Sequence, residues 1–179
     1  MAGVRVFHQV THHMDSVTHY KAPWSKGLII MSAVSMLLCL GIAFGTPLLP
    51  TPKHGNWPAH YLRWLPLAFV PACVLFTIRG YTIAPGEVLV HRLLWSTRLP
   101  LAGLQSAGMD TEAMKKSIRT CGNGGFFSIT GFYWNKKLGR YRAYVTDPQR
   151  AVVLRYAKRT VVISPDRPVD FARELEAAL

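Results

Sequence analysis

The residues of this 179-residue chain best suited to chemistry are cations. The stretch W-N-K-K-L-G-R-Y-R, Trp134 to Arg142, sets basic residues around a turn. Lys136 and Lys137 fall at the tip of an expected hairpin loop, Lys136 to Gly139. Period-2 alternation then puts Arg140, Arg142 and Tyr144 on one strand face, with Tyr141, Ala143 and Val145 on the other. Cations at a tip, with Trp134 beside them, suit an anionic lipid headgroup or an acidic partner. The same charges would also keep a strand edge soluble, which is the structural alternative.

Other constellations are weaker. His8 and His12 stand at metal-ligand spacing with His13 adjacent, but no Cys or carboxylate cluster accompanies them. Gly122, Gly124 and Gly125 suggest a phosphate loop, yet GxxxxGK[ST] is missing and bulges or tight turns explain them better. Lys115, Lys116 and Arg119 precede those glycines as an exposed basic loop. Cys121 and His91 are a nucleophile and a base in type only, with no orienting motif. HExxH, GxSxG and Rossmann signatures are absent, so no enzyme and no cofactor is expected. Net charge is +12, but no nucleic-acid motif supports that partner.

The elements that must position these residues are set by apolar patterning. Charged residues make up 17% of the chain, against about 25% in an average soluble protein. Residues 27–49, GLIIMSAVSMLLCLGIAFGTPLL, are long enough to cross a bilayer and contain no charge. Residues 61–78 form a second, weaker span with Pro66 and Pro71, and Arg63 snorkels at its end. Residues 50–60 are the short external loop between them. Trp24, Trp57, Tyr61 and Trp64 mark interfacial belts. Arg5, Lys21 and Lys26 precede the first span, and Arg79, Arg92 and Arg98 follow the second. The positive-inside rule therefore places both termini in the cytoplasm, in a multi-pass protein of the inner membrane. A cleaved signal peptide fits poorly, because the apolar run and its leader are both too long. Residues 1–26 are a cytoplasmic leader, either disordered or an amphipathic helix along Phe7, Val10, Met14 and Val17.

From Tyr81 the pattern changes to short β segments: 81–83, 88–94, 97–101, 126–129, 132–135, 140–146, 151–156 and 160–164. Pro168 to Leu179 reads as a closing helix, with Asp166 as a possible cap. Residues 79–179 carry 16 Lys/Arg and 8 Asp/Glu, or +8. Three stretches carry a resemblance: R-T-C-G-N-G-G-F-F-S-I-T-G-F-Y (Arg119 to Tyr133), L-G-R-Y-R-A-Y-V-T-D (Leu138 to Asp147) and V-V-I-S-P-D-R-P-V-D-F (Val161 to Phe171). Together they resemble the bacterial pleckstrin-homology-like (PH-like) domain family, whose members often follow a pair of membrane helices. The expected fold is thus α+β: a two-helix transmembrane hairpin, then a PH-like domain. That domain would be a bent antiparallel sheet or partial barrel of about seven strands, capped by one C-terminal helix. The family's biochemical role is undefined, so fold carries little function here. Phosphoinositide-binding relatives use a Lys/Arg-rich loop between the first two strands; here that loop is Ala84-Pro85-Gly86-Glu87, and nothing carries over to it.

Three functions fit. The first is a membrane-anchored, non-enzymatic interaction or scaffold module, with an unidentified protein or a second copy as partner. The second is an anionic-lipid sensor using Trp134, Lys136, Lys137, Arg140 and Arg142. The third, a transport component, is disfavoured because only Arg63 ionises within the spans.

Overall fold

Gly86, at φ +78°, turns the chain back on itself and builds the first hairpin of the domain. In the computed structural model, residues 17–45 and 64–179 are described. The hairpin joins β2 (Gly80–Ala84) to β3 (Glu87–His91), and β4 (Ser96–Pro100) extends it. Alternation sends Tyr81 and Ile83, then Val88 and Val90, into the core. β1 (Thr18–Lys21) pairs antiparallel with β2 and completes a four-stranded sheet, β1-β2-β3-β4.

The second sheet has the order β5-β9-β10-β8-β7-β6. Its strands are β5 (Leu104–Met109), β6 (Ile118–Gly124), β7 (Ile129–Asn135), β8 (Gly139–Val145), β9 (Val152–Tyr156) and β10 (Thr160–Ile163). The main core lies between Tyr81, Val88 and Val90 on one sheet and Tyr144, Leu154 and Ile163 on the other. The helix that closes it, Pro168–Ala177, contributes Phe171 and Leu175. A second apolar cluster covers the opposite face of the large sheet, where Ala113 and Leu138 pack on Tyr141 and Val153.

Several expectations are corrected. Among the described residues there are ten strands in two sheets, not about seven in one. The pairing is not wholly antiparallel, because β10 runs parallel to β8. Residues 104–109 and 118–124, read as loop, are strands. Conversely, Phe126 to Ser128 are a turn rather than a strand start. Asn123 clamps that turn by accepting from the Gly125 and Phe126 N–H groups while donating to the Phe126 carbonyl.

The end of the leader is also different. Thr18–Lys21 is a strand of the domain, not part of an amphipathic helix. Glu174 holds it, accepting from Thr18 Oγ1 at 2.6 Å and from Tyr20 OH at 2.7 Å. Asp166, expected to cap the last helix, is used here too: its carboxylate accepts from Lys21 N–H, and its own N–H donates to Lys21 O. The cap position is Arg167, with no side-chain cap bond. The leader histidines His8, His12 and His13 lie outside the described residues.

The first apolar run is α1 (Lys26–Gly45), at 20 residues about 30 Å long. By length and composition it can cross a membrane. Leu28, Ser32 and Ala43 are its buried residues, and Ile30, Val34, Leu37 and Leu38 are all exposed. The second run is α2 (Leu65–Leu75), at 11 residues about 16 Å long and too short to cross alone. The expected span 61–78 does not continue past Leu75, because Ile78 is wholly buried in the domain core. Residues 61–63 lie outside the described residues. Phe44, near the end of α1, meets Trp64 at the start of α2 edge to face, with centroids 5.8 Å apart. The closing helix (Pro168–Ala177) is α3.

Candidate functional site

The β7–β8 hairpin sets Phe132 opposite Arg142 and Trp134 opposite Arg140. The expected face is therefore present: both guanidiniums lie over the Phe132 ring, Arg140 at 5.5 Å and Arg142 at 5.4 Å from its centroid. The tip behaves differently. Lys137 pairs with Asp110 at 2.6 Å, whereas Lys136 and Trp134 are exposed. Of the five candidates, Arg140 and Arg142 share the Phe132 ring, Trp134 lies across the strands from Arg140, and Lys137 is tied to Asp110. Arg142 turns toward a neighbouring cleft, and Lys137 faces an acid from the β5–β6 connection.

That cleft, of ≈ 660 Å³, lies between α2 and the β6-β7-β8 face. Phe69, Ala72 and Phe76 form its apolar wall, and Arg92, Arg119 and Arg142 its cations. Arg92 follows β3 and is only 9% exposed. Its Nη1 donates to the Phe76 carbonyl at 3.3 Å, while its Nε has no hydrogen-bond partner. Its guanidinium is surrounded by rings, 5.3 Å from Phe76, 5.6 Å from Trp95 and 5.4 Å from Tyr144. Arg142 stands 5.1 Å from the same Tyr144 ring. Burial, and in addition the like charge of Arg142, holds the Arg92 pKa below its ordinary value. Arg119, on β6, lies against Gly124, where a Cβ would strike its guanidinium.

Sequence reasoning missed Arg92 and Arg119 as site residues. A signal for Arg92 existed: alternation from Val88 and Val90 carries it to the buried face. None existed for Arg119, since β6 has no apolar alternation to reveal it as a strand.

Of the three glycines, only Gly125 lies in a turn; Gly122 and Gly124 are paired residues of β6, opposite Gly131 and Ile129. Register shifts between Arg119 and Cys121, and Gly122 and Gly125 have positive φ. Cys121 is exposed on β6, while His91 is engaged elsewhere. His91 Nε2 lies 2.6 Å from Thr82 Oγ1, His91 Nδ1 2.8 Å from Ser96 Oγ, and His19 Nδ1 2.7 Å from the same Thr82 oxygen.

This histidine chain predicts a pH dependence. Burial, and then His19, lowers the His91 pKa below 6.5, so the unfolded chain binds the proton more readily. The stabilisation is complete above the unfolded value and is lost as pH falls below it toward the folded one. The melting temperature should therefore drop between about pH 7 and pH 5. That slope should be shallower in His91→Gln; equal slopes would show that the pair does not contribute.

Two sheets around one core, closed by a single C-terminal helix, define a PH-like module. The family model described as "Bacterial PH domain" matches residues 79–179. The chain belongs to the bacterial PH domain family, and β1, which pairs onto the matched region, is added from outside it. No curated protein and no solved structure matches the chain.

Proposed function

We propose that this protein is a membrane-anchored, non-enzymatic interaction module that holds its PH-like domain at the cytoplasmic face of a bacterial inner membrane. The observation that carries this reading is the exposure of α1. Away from the stripe that holds Leu28, Ser32 and Ala43, its apolar side chains are exposed, Leu37 at 67% and Leu38 at 61%. Burying each such side chain is worth about 1.5–3 kcal/mol, so an aqueous α1 would be strongly unfavourable. Only the foot of α1 is used by the domain. Ser25 N–H donates to Thr146 O at 3.2 Å, and Ser32 Oγ accepts from Phe127 N–H at 2.9 Å while donating to the Gly125 carbonyl at 3.3 Å. Trp24 lies beside Phe127 at this junction, with ring centroids 6.1 Å apart. A helix fastened this way carries the domain rigidly rather than on a loose tether. The Phe44–Trp64 contact supports α2 as the return arm of a hairpin. The excess of Lys and Arg after that arm favours the cytoplasmic side for the domain. Its partners are membrane lipids and a protein at the same face.

The full chain should remain with membranes after alkaline carbonate extraction. In a Cys39→Ser/Cys73→Ser variant the remaining cysteine is the exposed Cys121. An impermeant maleimide should label it in inside-out vesicles and not in intact cells. Carbonate release would refute the anchor, and labelling of intact cells the orientation.

A further inference from the structure

We infer that the Arg92–Arg119–Arg142 cleft binds the phosphate of an anionic lipid headgroup. This assignment rests on the membrane-anchored reading above for its access to lipid. Three guanidiniums face one cleft, and none has a carboxylate partner among the described residues. The acids are placed elsewhere, Glu87 on Arg98, Asp110 on Lys137, Asp147 on Arg150 and Asp170 on Arg173. Arg92 is the decisive residue. Arg92 is only 9% exposed and has no carboxylate partner among the described residues, which is costly for a cation, and its buried Nε has no hydrogen-bond partner. Arg142, over the same Tyr144 ring, adds like charge instead of relieving it. A bound anion would offset both.

The chemistry of the donors selects a phosphate. Guanidinium forks match phosphate oxygens bidentately, and arginine rather than lysine supplies every cation here. The wall opposite selects its source. Phe69 and Ala72 of α2, and Phe76 just after it, are apolar and exposed, and α2 packs beside the membrane-length helix α1. A soluble phosphate would leave that wall bare, whereas a lipid would lay its glycerol and acyl portion along it. The cleft lies away from the Ala84–Glu87 turn, where the sequence offers no cation.

The test uses the full chain in a neutral detergent, with native mass spectrometry counting retained lipid. Dioctanoyl phosphatidylglycerol and dioctanoyl phosphatidylcholine are offered at equal concentration. Phosphatidylglycerol should be retained preferentially, and Arg119→Gln or Arg142→Gln should each weaken retention about tenfold or more. Both residues are exposed, so these variants should fold even if Arg92→Met does not. Lys158→Gln, outside the cleft, should retain the lipid as the parent does. Equal retention of the two lipids, or arginine variants that behave as the parent, would overturn the assignment. Displacement of the lipid by an equal concentration of inorganic phosphate would overturn the lipid source. Because the assay runs in micelles, its failure would leave the carbonate and labelling results standing.

Discussion

Phe171→Ala is expected to destabilise the domain by about 3–5 kcal/mol, measured by denaturant unfolding of the full chain in detergent. The Phe171 ring is wholly buried. It meets Tyr20 edge to face with centroids 4.9 Å apart, and Tyr81 at 6.4 Å. One ring thus joins α3 to β1 and to β2. Truncation removes that contact and leaves a cavity that cannot readily collapse. Tyr81 is fixed beside it, donating to the Tyr144 carbonyl at 2.7 Å and accepting from Ser164 N–H at 3.1 Å. Small domains are stable by roughly 5–15 kcal/mol, so this one substitution would remove a large share. β1 should also loosen, because Tyr20 loses its packing partner, and the amides of 18–21 should exchange faster. A loss under about 1 kcal/mol would mean that α3 does not close the core.

Gly131→Ala is expected to separate β6 from β7. Gly122 and Gly131 are register partners, and both have positive φ, +118° and +130°. A Cβ on Gly131 would lie 2.8 Å from Gly122 Cα and would strike the Cys121 carbonyl. The obstacles are backbone atoms, so no side-chain rotation relieves the clash. The backbone conformation alone costs an alanine about 1–3 kcal/mol, and the overlap adds to it. Amide exchange across 118–124 should accelerate, with a lower unfolding midpoint. Gly108→Ala is the matched control, because no atom lies within 4 Å of its Cβ position. Its effect should be within about 0.5 kcal/mol. Equal effects of the two substitutions would show that the glycine pair does not set the β6–β7 spacing.

How much of this was legible beforehand follows from the range of each interaction. The β2–β3 hairpin was readable because Pro85-Gly86 and the alternation on either side are local signals. So was the Trp134–Arg142 hairpin, whose arginines do share a face, and so was α3. β6 was not readable. It is an exposed edge strand, rich in glycine and polar residues, that owes its conformation to pairing with β7. β5 is similar, with Gln105, Ser106 and Gly108 diluting its pattern. β1 carries four residues of ordinary type, and its strand identity comes from β2, beyond both helices.

The sequence by itself therefore determined the membrane-length apolar helix, the basic excess, the local hairpins and the family to which residues 79–179 belong. Only the tertiary structure decided that Lys137 is tied to Asp110, that Asp166 fastens β1, and that Arg92, Arg119 and Arg142 meet in one cleft. The reason is physical. Apolar periodicity is written within a few residues, whereas a meeting of three cations from distant parts of the chain depends on which strands pair and which helix covers them.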